Sequence, residues 1–393
     1  MSRSLLTSTS LVTLLVLLSA ATPGPASKGT ATFAPSAAWQ VVLDQAPARA
    51  PTEVLLGSRL ATLLAGPGGV EVRALDSGAQ LWKRNDIGAA GLQTVPPVGA
   101  DSLPVAGWTG QDSGGHPTLR VIHLGSGKDL LTHRLARPAL APPLPRPTSG
   151  GLPRWSLLLA GDEIVTLDRD GRRLAGQVLD DPVYPRLWSL LSHPATLGRE
   201  SGRLLLPFLA AQKLRPRDLE AETLSFDGRW LLAAGKRSFA AWRCRETRRG
   251  RIRCSRQWRQ HLGGTVTAPA RVAGETILVS CRDTFLYAFR RDNGHLLWRR
   301  ATGRRLALTA LVAGKLVITA VGDAEVQAFH LDTGQPAGAL TLPAGEHLAA
   351  PPGLAGGYLL VATRTVPESV VRLRAYALSA KQEPGAEKES ARR

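Results

Sequence analysis

After residue 18 the sequence offers no stretch approaching the roughly 20 apolar residues of a membrane helix, which excludes a later helical span. Its 8 histidines stand singly, none at H-x-H or H-x-x-x-H spacing, which argues against a zinc site. There is no G-x-S-x-G elbow to support a serine hydrolase, although a Ser-His-Asp set assembled from distant residues would leave no such trace. The nearest approach to a phosphate loop, Gly125-Ser126-Gly127-Lys128, continues with Asp129 where Ser or Thr is required and has Ile122 at the upstream glycine position. Acidic residues are scarce: 31 Asp and Glu face 49 Lys and Arg, a formal net charge of +18. That balance implies attraction to acidic surfaces such as lipid head groups, anionic polysaccharide or an acidic protein. Nucleic acid is disfavoured, since no aromatic-interleaved basic motif is present and the chain starts with an export-like segment.

That segment has Arg3, the apolar run Leu11 to Leu18 and the small residues Ser19-Ala20-Ala21. It is short for a bilayer span, so residues 1–21 read as a cleaved secretory signal in preference to an anchor, and the product as periplasmic or secreted. With no Cys following the run, a lipoprotein modification is not expected there. Residues 22–37 are a Pro/Ala/Gly/Ser lead-in, 38–380 the folded body, and Lys381 to Arg393 a solvated tail. Export favours a disulfide between two of the three cysteines. Cys244 and Cys254 flank the turn-like Arg249-Gly250 and are expected to pair across a hairpin, the alternative being free thiols in a sheet. Cys281 reads as an inert buried thiol.

What the chain does have is a recurrent pattern of strand, turn closing on Gly, and strand, often with Trp. It reads Ala74-Leu75-Asp76-Ser77-Gly78 to Leu81-Trp82, then Ala288-Phe289 to Asp292-Asn293-Gly294 and Leu297-Trp298, then Ala328-Phe329 to Asp332-Thr333-Gly334. Weaker copies end at Gly127 and Gly171. Trp258 and Trp298 stand 40 residues apart, as do Gly294 and Gly334. A strand-built period of about 40–45 residues indicates propeller blades. We therefore expect an all-β fold, one β-propeller of four-stranded blades. Eight blades are expected if Asp180 to Phe226 holds a degenerate copy, and seven if it does not. The strand Trp39 to Leu43 is expected to complete the last blade and close the ring. In the final strand Val371, Leu373, Ala375 and Ala377 alternate with Arg372, Arg374 and Tyr376, so one face is expected buried and the other wet and basic.

The repeat A-(L/F)-x-D-x-G-x-x-L-W resembles the pyrroloquinoline-quinone-like (PQQ-like) propeller repeat, over most of the chain after about residue 37. The resemblance implies that Trp82, Trp258 and Trp298 pack between neighbouring blades. It brings in quinoprotein dehydrogenases, the propeller lipoprotein of the outer-membrane β-barrel assembly machinery, and exported propellers of other roles. The dehydrogenases have an adjacent Cys-Cys pair over their cofactor and a Glu/Asn/Asp set for calcium; neither is found here, and no cofactor is expected. The assembly lipoprotein matches in length, but this chain has no counterpart of its lipid-bearing Cys.

Asp76-Ser77-Gly78 and Asp332-Thr333-Gly334 look like paired aspartic-protease loops. Yet the slot holds Asn293-Gly294 and Ser126-Gly127 in other copies, so a hairpin requirement explains it. Asp76, Gly78, Trp82, Gly127, Gly171, Trp258, Asp292, Gly294, Trp298, Asp332 and Gly334 are accordingly assigned to the repeat and none to catalysis. The densest positive cluster, Arg243 to Arg259, is either a disulfide-stapled docking hairpin centred on Arg248, Arg249 and Arg251 or a solvated hairpin. The expected function is a non-enzymatic, monomeric binding or scaffolding platform of the cell envelope, for a protein partner or an anionic envelope component. A quinone-dependent dehydrogenase and an outer-membrane assembly factor are the alternatives.

Overall fold

The computed structural model describes residues 33–378 apart from 34, 57–58, 96–102, 147–151, 162, 179–222, 227–228, 236, 247–251 and 307. The signal segment, the tail, most of the lead-in and the arginines Arg248, Arg249 and Arg251 lie outside the described residues. Those described form 29 β-strands and one 3-10 turn at Ala89–Gly91. The strands make seven antiparallel sheets, and in six of them consecutive strands are hydrogen-bonded neighbours. Blades 1 to 6 span 52–84, 92–134, 144–178, 223–261, 271–301 and 311–341. Seven is the lower of the two expected counts. The stretch from which an eighth would be drawn lies outside the described residues, and Thr223–Phe226 is the first strand of blade 4.

Blade 7 draws on both ends of the chain. The strands Tyr358–Thr365 and Val371–Ala377 pair with each other, and Ser36–Leu43 adds to the outer side of Val371–Ala377. The inner side of Tyr358–Thr365 is covered by two short strands, Glu346–Leu348 and Gly353–Ala355. The ring closes through the strand at Trp39, as expected, and the closure hides edges that would otherwise be open to pairing.

Buried clusters fill the junctions between blades. One joins Val54 and Leu63 of blade 1 to Ala106 and Trp108 of blade 2. Others join blades 2 and 3, 4 and 5, 5 and 6, 6 and 7, and 7 back to 1. Both faces of blade 7 are thus covered by neighbours, which corrects one expectation. Arg374 and Tyr376, read as a wet face, are only 8% and 6% exposed. A buried guanidinium survives only with a partner, and Arg374 has one. Its Nη2 donates to Glu346 Oε1 at 2.7 Å, its Nη1 to Glu346 Oε2, and its Nε to Gln40 Oε1 at 2.6 Å. Thr363 Oγ1 donates to Glu346 Oε2 at 2.7 Å. Glu346, Thr363, Arg374 and Gln40 sit on the four successive strands of blade 7, so one polar network ties the N-terminal strand to the rest.

The Arg374 guanidinium holds the Glu346 carboxyl below its ordinary value of 4.5, with Thr363 and Arg372 adding to the effect against burial. A carboxyl depressed by folding stabilises the native state fully above its unfolded pKa, and that contribution is lost as pH falls through the folded value. Urea unfolding across about pH 7 to about pH 3 is therefore expected to show stability falling below about pH 4.5, and less steeply in Glu346→Gln. Parallel curves for the two proteins would contradict it.

Candidate functional site

The repeat residues are junction hardware. At each strong copy the turn glycine is left-handed: φ is 72° at Gly78, 71° at Gly294 and 65° at Gly334. Its N–H closes the turn on the carbonyl four residues back, as Gly294 does on Arg290 at 2.8 Å. The side chain just before the glycine caps the turn: Asn293 Oδ1 accepts from the His295 N–H at 3.0 Å, Thr333 Oγ1 from Gln335 at 3.2 Å. Glycine is required for a second reason. A Cβ on Gly294 would lie 2.6 Å from the Trp258 ring of the preceding blade, and one on Gly127 would lie 2.8 Å from Trp82. The bare turn is the floor on which the neighbour's indole rests.

Each indole is also hydrogen-bonded across the junction, always to the carbonyl three residues before the turn glycine. Trp82 donates to Leu124 at 2.7 Å, Trp258 to Arg291 at 2.6 Å, Trp298 to Leu331 at 2.8 Å, and Trp39 to Leu75 at 2.7 Å. Two residues after the Trp comes a donor that the repeat reading overlooked. Arg84, Gln260 and Arg300 give hydrogen bonds to the carbonyls of Gly127, Gly294 and Gly334, at 3.1, 2.9 and 2.7 Å. The recurrence of Arg or Gln at Trp plus two was the available signal. Asp76, Asp292 and Asp332 sit exposed on turns of blades 1, 5 and 6. Gly171 carries the weak copy in blade 3, where His133 of blade 2 takes the place of an indole.

Blade 6 has Gly338 where blades 1 and 5 have Trp82 and Trp298, four residues after the turn glycine. The gap is filled from the N-terminal end: Phe33 packs beside Gly338, donates its N–H to Ala337 at 2.8 Å, and is 5% exposed in the core between blades 6 and 7.

Two features depart from the repeat and can meet a partner. One is the outer hairpin of blade 4, Ser238–Glu246 against Ile252–His261. Beyond the pair Ala241–Trp258 it carries five more cross-strand pairs, where blade 5 carries one beyond Ala288–Trp298. At about 3.3 Å per residue the arm reaches roughly 13 Å further than its neighbour's turn. Cys244 and Cys254 are directly opposite and disulfide-bonded, as expected. Arg243, Arg245, Arg256 and Arg259 are exposed along the arm. Its root is an aromatic cluster, with Phe239 5.5 Å from Trp258 and Phe289 6.2 Å from both. A braced arm on a rigid root presents its charges with little ordering entropy left to lose on binding.

The other feature is a central cavity of about 660 Å³, at the N-terminal ends of the inner strands. It is lined by Ala and Pro side chains from the connections that lead into those strands, including Ala50, Ala268, Pro269, Ala310 and Pro351, with Arg49 and Arg271 among them. Antiparallel alternation places these connections on the face opposite the glycine-closed turns and the arm. Ala-Pro recurs before the inner strands of blades 1, 5 and 7, at 50–51, 268–269 and 350–351, a signal present in the sequence. Among the described residues that line the cavity there is no Asp, Glu, Asn or Gln, so those residues do not fit a quinone held by calcium. Among the described residues no three His, Cys, Asp or Glu side chains come together to hold a metal ion. Cys281 is fully buried, and burial pushes its thiol pKa up. No helix among the described residues is long and apolar enough to cross a membrane.

Residues 253–337, from the arm's outgoing strand through blade 5 into blade 6, match the family model described as outer membrane protein assembly factor BamB. The repeat is therefore PQQ-like, as its residues implied. Among solved structures the chain is similar to BamB from Moraxella catarrhalis, at 14% identity and a TM-score of 0.41, covering 87% of this chain and 100% of that one. It is also similar to BBS1N in complex with ARL6DN, soaked with lead, at 10% identity and a TM-score of 0.53, covering 88% and 98%. The mercury-soaked form of that complex gives 10% identity, a TM-score of 0.51, and coverage of 88% and 97%. At such identities these last two show the fold alone. No curated protein matches.

Proposed function

We propose that this chain is a non-catalytic binding platform of the cell envelope, docking an acidic protein partner through the arm of blade 4. The observation that carries the reading is the arm itself. It outgrows the repeat by roughly four residues per strand, is covalently closed at Cys244–Cys254, and displays Arg243, Arg245 and Arg256 to solvent. A surface that served only solubility would have no use for a braced extension. A disulfide favours an oxidising compartment, which supports the periplasmic or secreted location read from residues 1–21. The net charge of +18 would steer acidic partners to it, with rates that fall as salt rises.

A role as an outer-membrane assembly factor is the more specific form of this reading. The family match over 253–337 favours it, because that span includes the arm's outgoing strand. Pull-down from envelope extract tests both forms. Changing Arg243, Arg245 and Arg256 together to Glu is expected to lower partner recovery at least about tenfold at low salt. Recovery of barrel-assembly components would support the specific form. Equal recovery by wild type and variant would remove the arm from the mechanism. A single copy of the chain suffices for this docking, and sedimentation of the purified protein is expected to show a monomer.

A further inference from the structure

The feature that the platform reading leaves unused is Arg49, one of the residues that line the cavity. Arg49 lies on the connection from Ser36–Leu43 to Thr52–Leu56, and the N–H of Ala48 pins that connection to Ala65 at 2.8 Å. Arg49 Nη1 donates to the carbonyl of Leu92 in blade 2 at 2.7 Å. It forms no ion pair with a described residue, whereas Arg84, Arg120 and Arg374 are all paired with carboxylates. Burial pushes its pKa down from the usual value, so it sits where its charge is poorly hydrated. A partly desolvated cation with most of its donors unspent is costly unless something anionic meets it.

We propose that the central cavity binds an organic carboxylate with an apolar body, the anion pairing with Arg49 and the body lying against the alanine and proline walls. The volume, about 660 Å³, is that of a small-ligand pocket. The planar guanidinium fork of Arg49 matches a carboxylate in geometry and charge. The walls carry methyl and ring surface from Ala50, Ala268, Pro269, Ala310 and Pro351, which water wets poorly and an apolar chain covers well. A fatty acid and the free C-terminus of an apolar peptide share this chemistry.

Calorimetric titration of the full chain distinguishes them with four probes: dodecanoate, dodecanol, N-acetyl-Ala-Ala-Leu acid and its amide. Either acid is expected to bind at one site at least about tenfold tighter than its uncharged counterpart, as a hydrogen-bonded charge pair implies. Binding of dodecanoate alone assigns a lipid, and of the peptide acid alone a protein C-terminus. Arg49→Gln is expected to remove the preference for acid, while leaving the binding of dodecanol unchanged. Thr309→Phe, which narrows the cavity from blade 6, is expected to weaken every probe together. The inference is overturned if neither acid binds, if acid and neutral probes bind alike, or if Arg49→Gln or Thr309→Phe leaves binding unaltered. Because Thr309 and Arg49 belong to different blades, both variants cannot mislead through one local collapse, and unchanged thermal melts exclude unfolding as the cause.

Discussion

Glu346→Leu is expected to destabilise the propeller by about 3–5 kcal/mol, the cost of leaving a buried guanidinium without its counter-ion. Arg374 is 8% exposed and spends three of its donor contacts on Glu346 and Thr363, so it has no route to water when the carboxylate goes. Pairing the change with Arg374→Met is expected to recover at least half of the loss. A buried ion pair exchanged for apolar groups of similar size is often neutral, whereas a broken one is not. Recovery stays incomplete because Thr363, fully buried, loses its acceptor. The loss is expected to appear first at the closing blade, where Gln40 of the N-terminal strand hangs on the same network. Urea unfolding by circular dichroism measures the first effect, and limited proteolysis between blades 1 and 7 the second. A single substitution no worse than the double would refute the account.

The second large effect is expected at the junction between blades 5 and 6. Trp298→Ala removes an indole that is 7% exposed and bonded to the Leu331 carbonyl, which predicts a loss of about 3–5 kcal/mol. Its neighbour Leu297, 39% exposed on the same strand, is expected to tolerate Ala within about 0.5 kcal/mol. Gly334→Ala in the wild type combines the left-handed backbone cost of about 1–2 kcal/mol with a clash against the indole. In the Trp298→Ala background only the backbone cost remains, so the double mutant should be less destabilised than the sum of the two singles. Strict additivity would show that the glycine and the tryptophan do not bear on each other.

The legibility of the chain follows the range of the forces involved. The turn glycines and the tryptophans were readable because a left-handed φ and a buried indole each restrict one position to one or two residue types. Repeating that restriction about every 40 residues advertises the architecture. The cross-junction donors Arg84, Gln260 and Arg300 were visible in principle, but Arg and Gln occur on so many exposed strands that their recurrence carries little weight alone. Phe33 was hidden among the Pro and Ala of a lead-in, because the vacancy it fills at Gly338 exists only once blades 6 and 7 have met. Arg374 misled for a comparable reason. Alternation marks a wet face in a sheet that stands by itself, and a blade in a closed ring has no such face.

Local chemistry written along the chain thus determined the blade, its turn, its tryptophan, the disulfide register and the overall charge. Only the closed ring decided which charges are buried and paired, which arm outreaches its neighbour, and which arginine lines the cavity without a described ion-pair partner. Those outcomes depend on residues far apart in the chain, as with Gln40 and Arg374, and burial and Coulomb interactions act between them only after closure has brought them together.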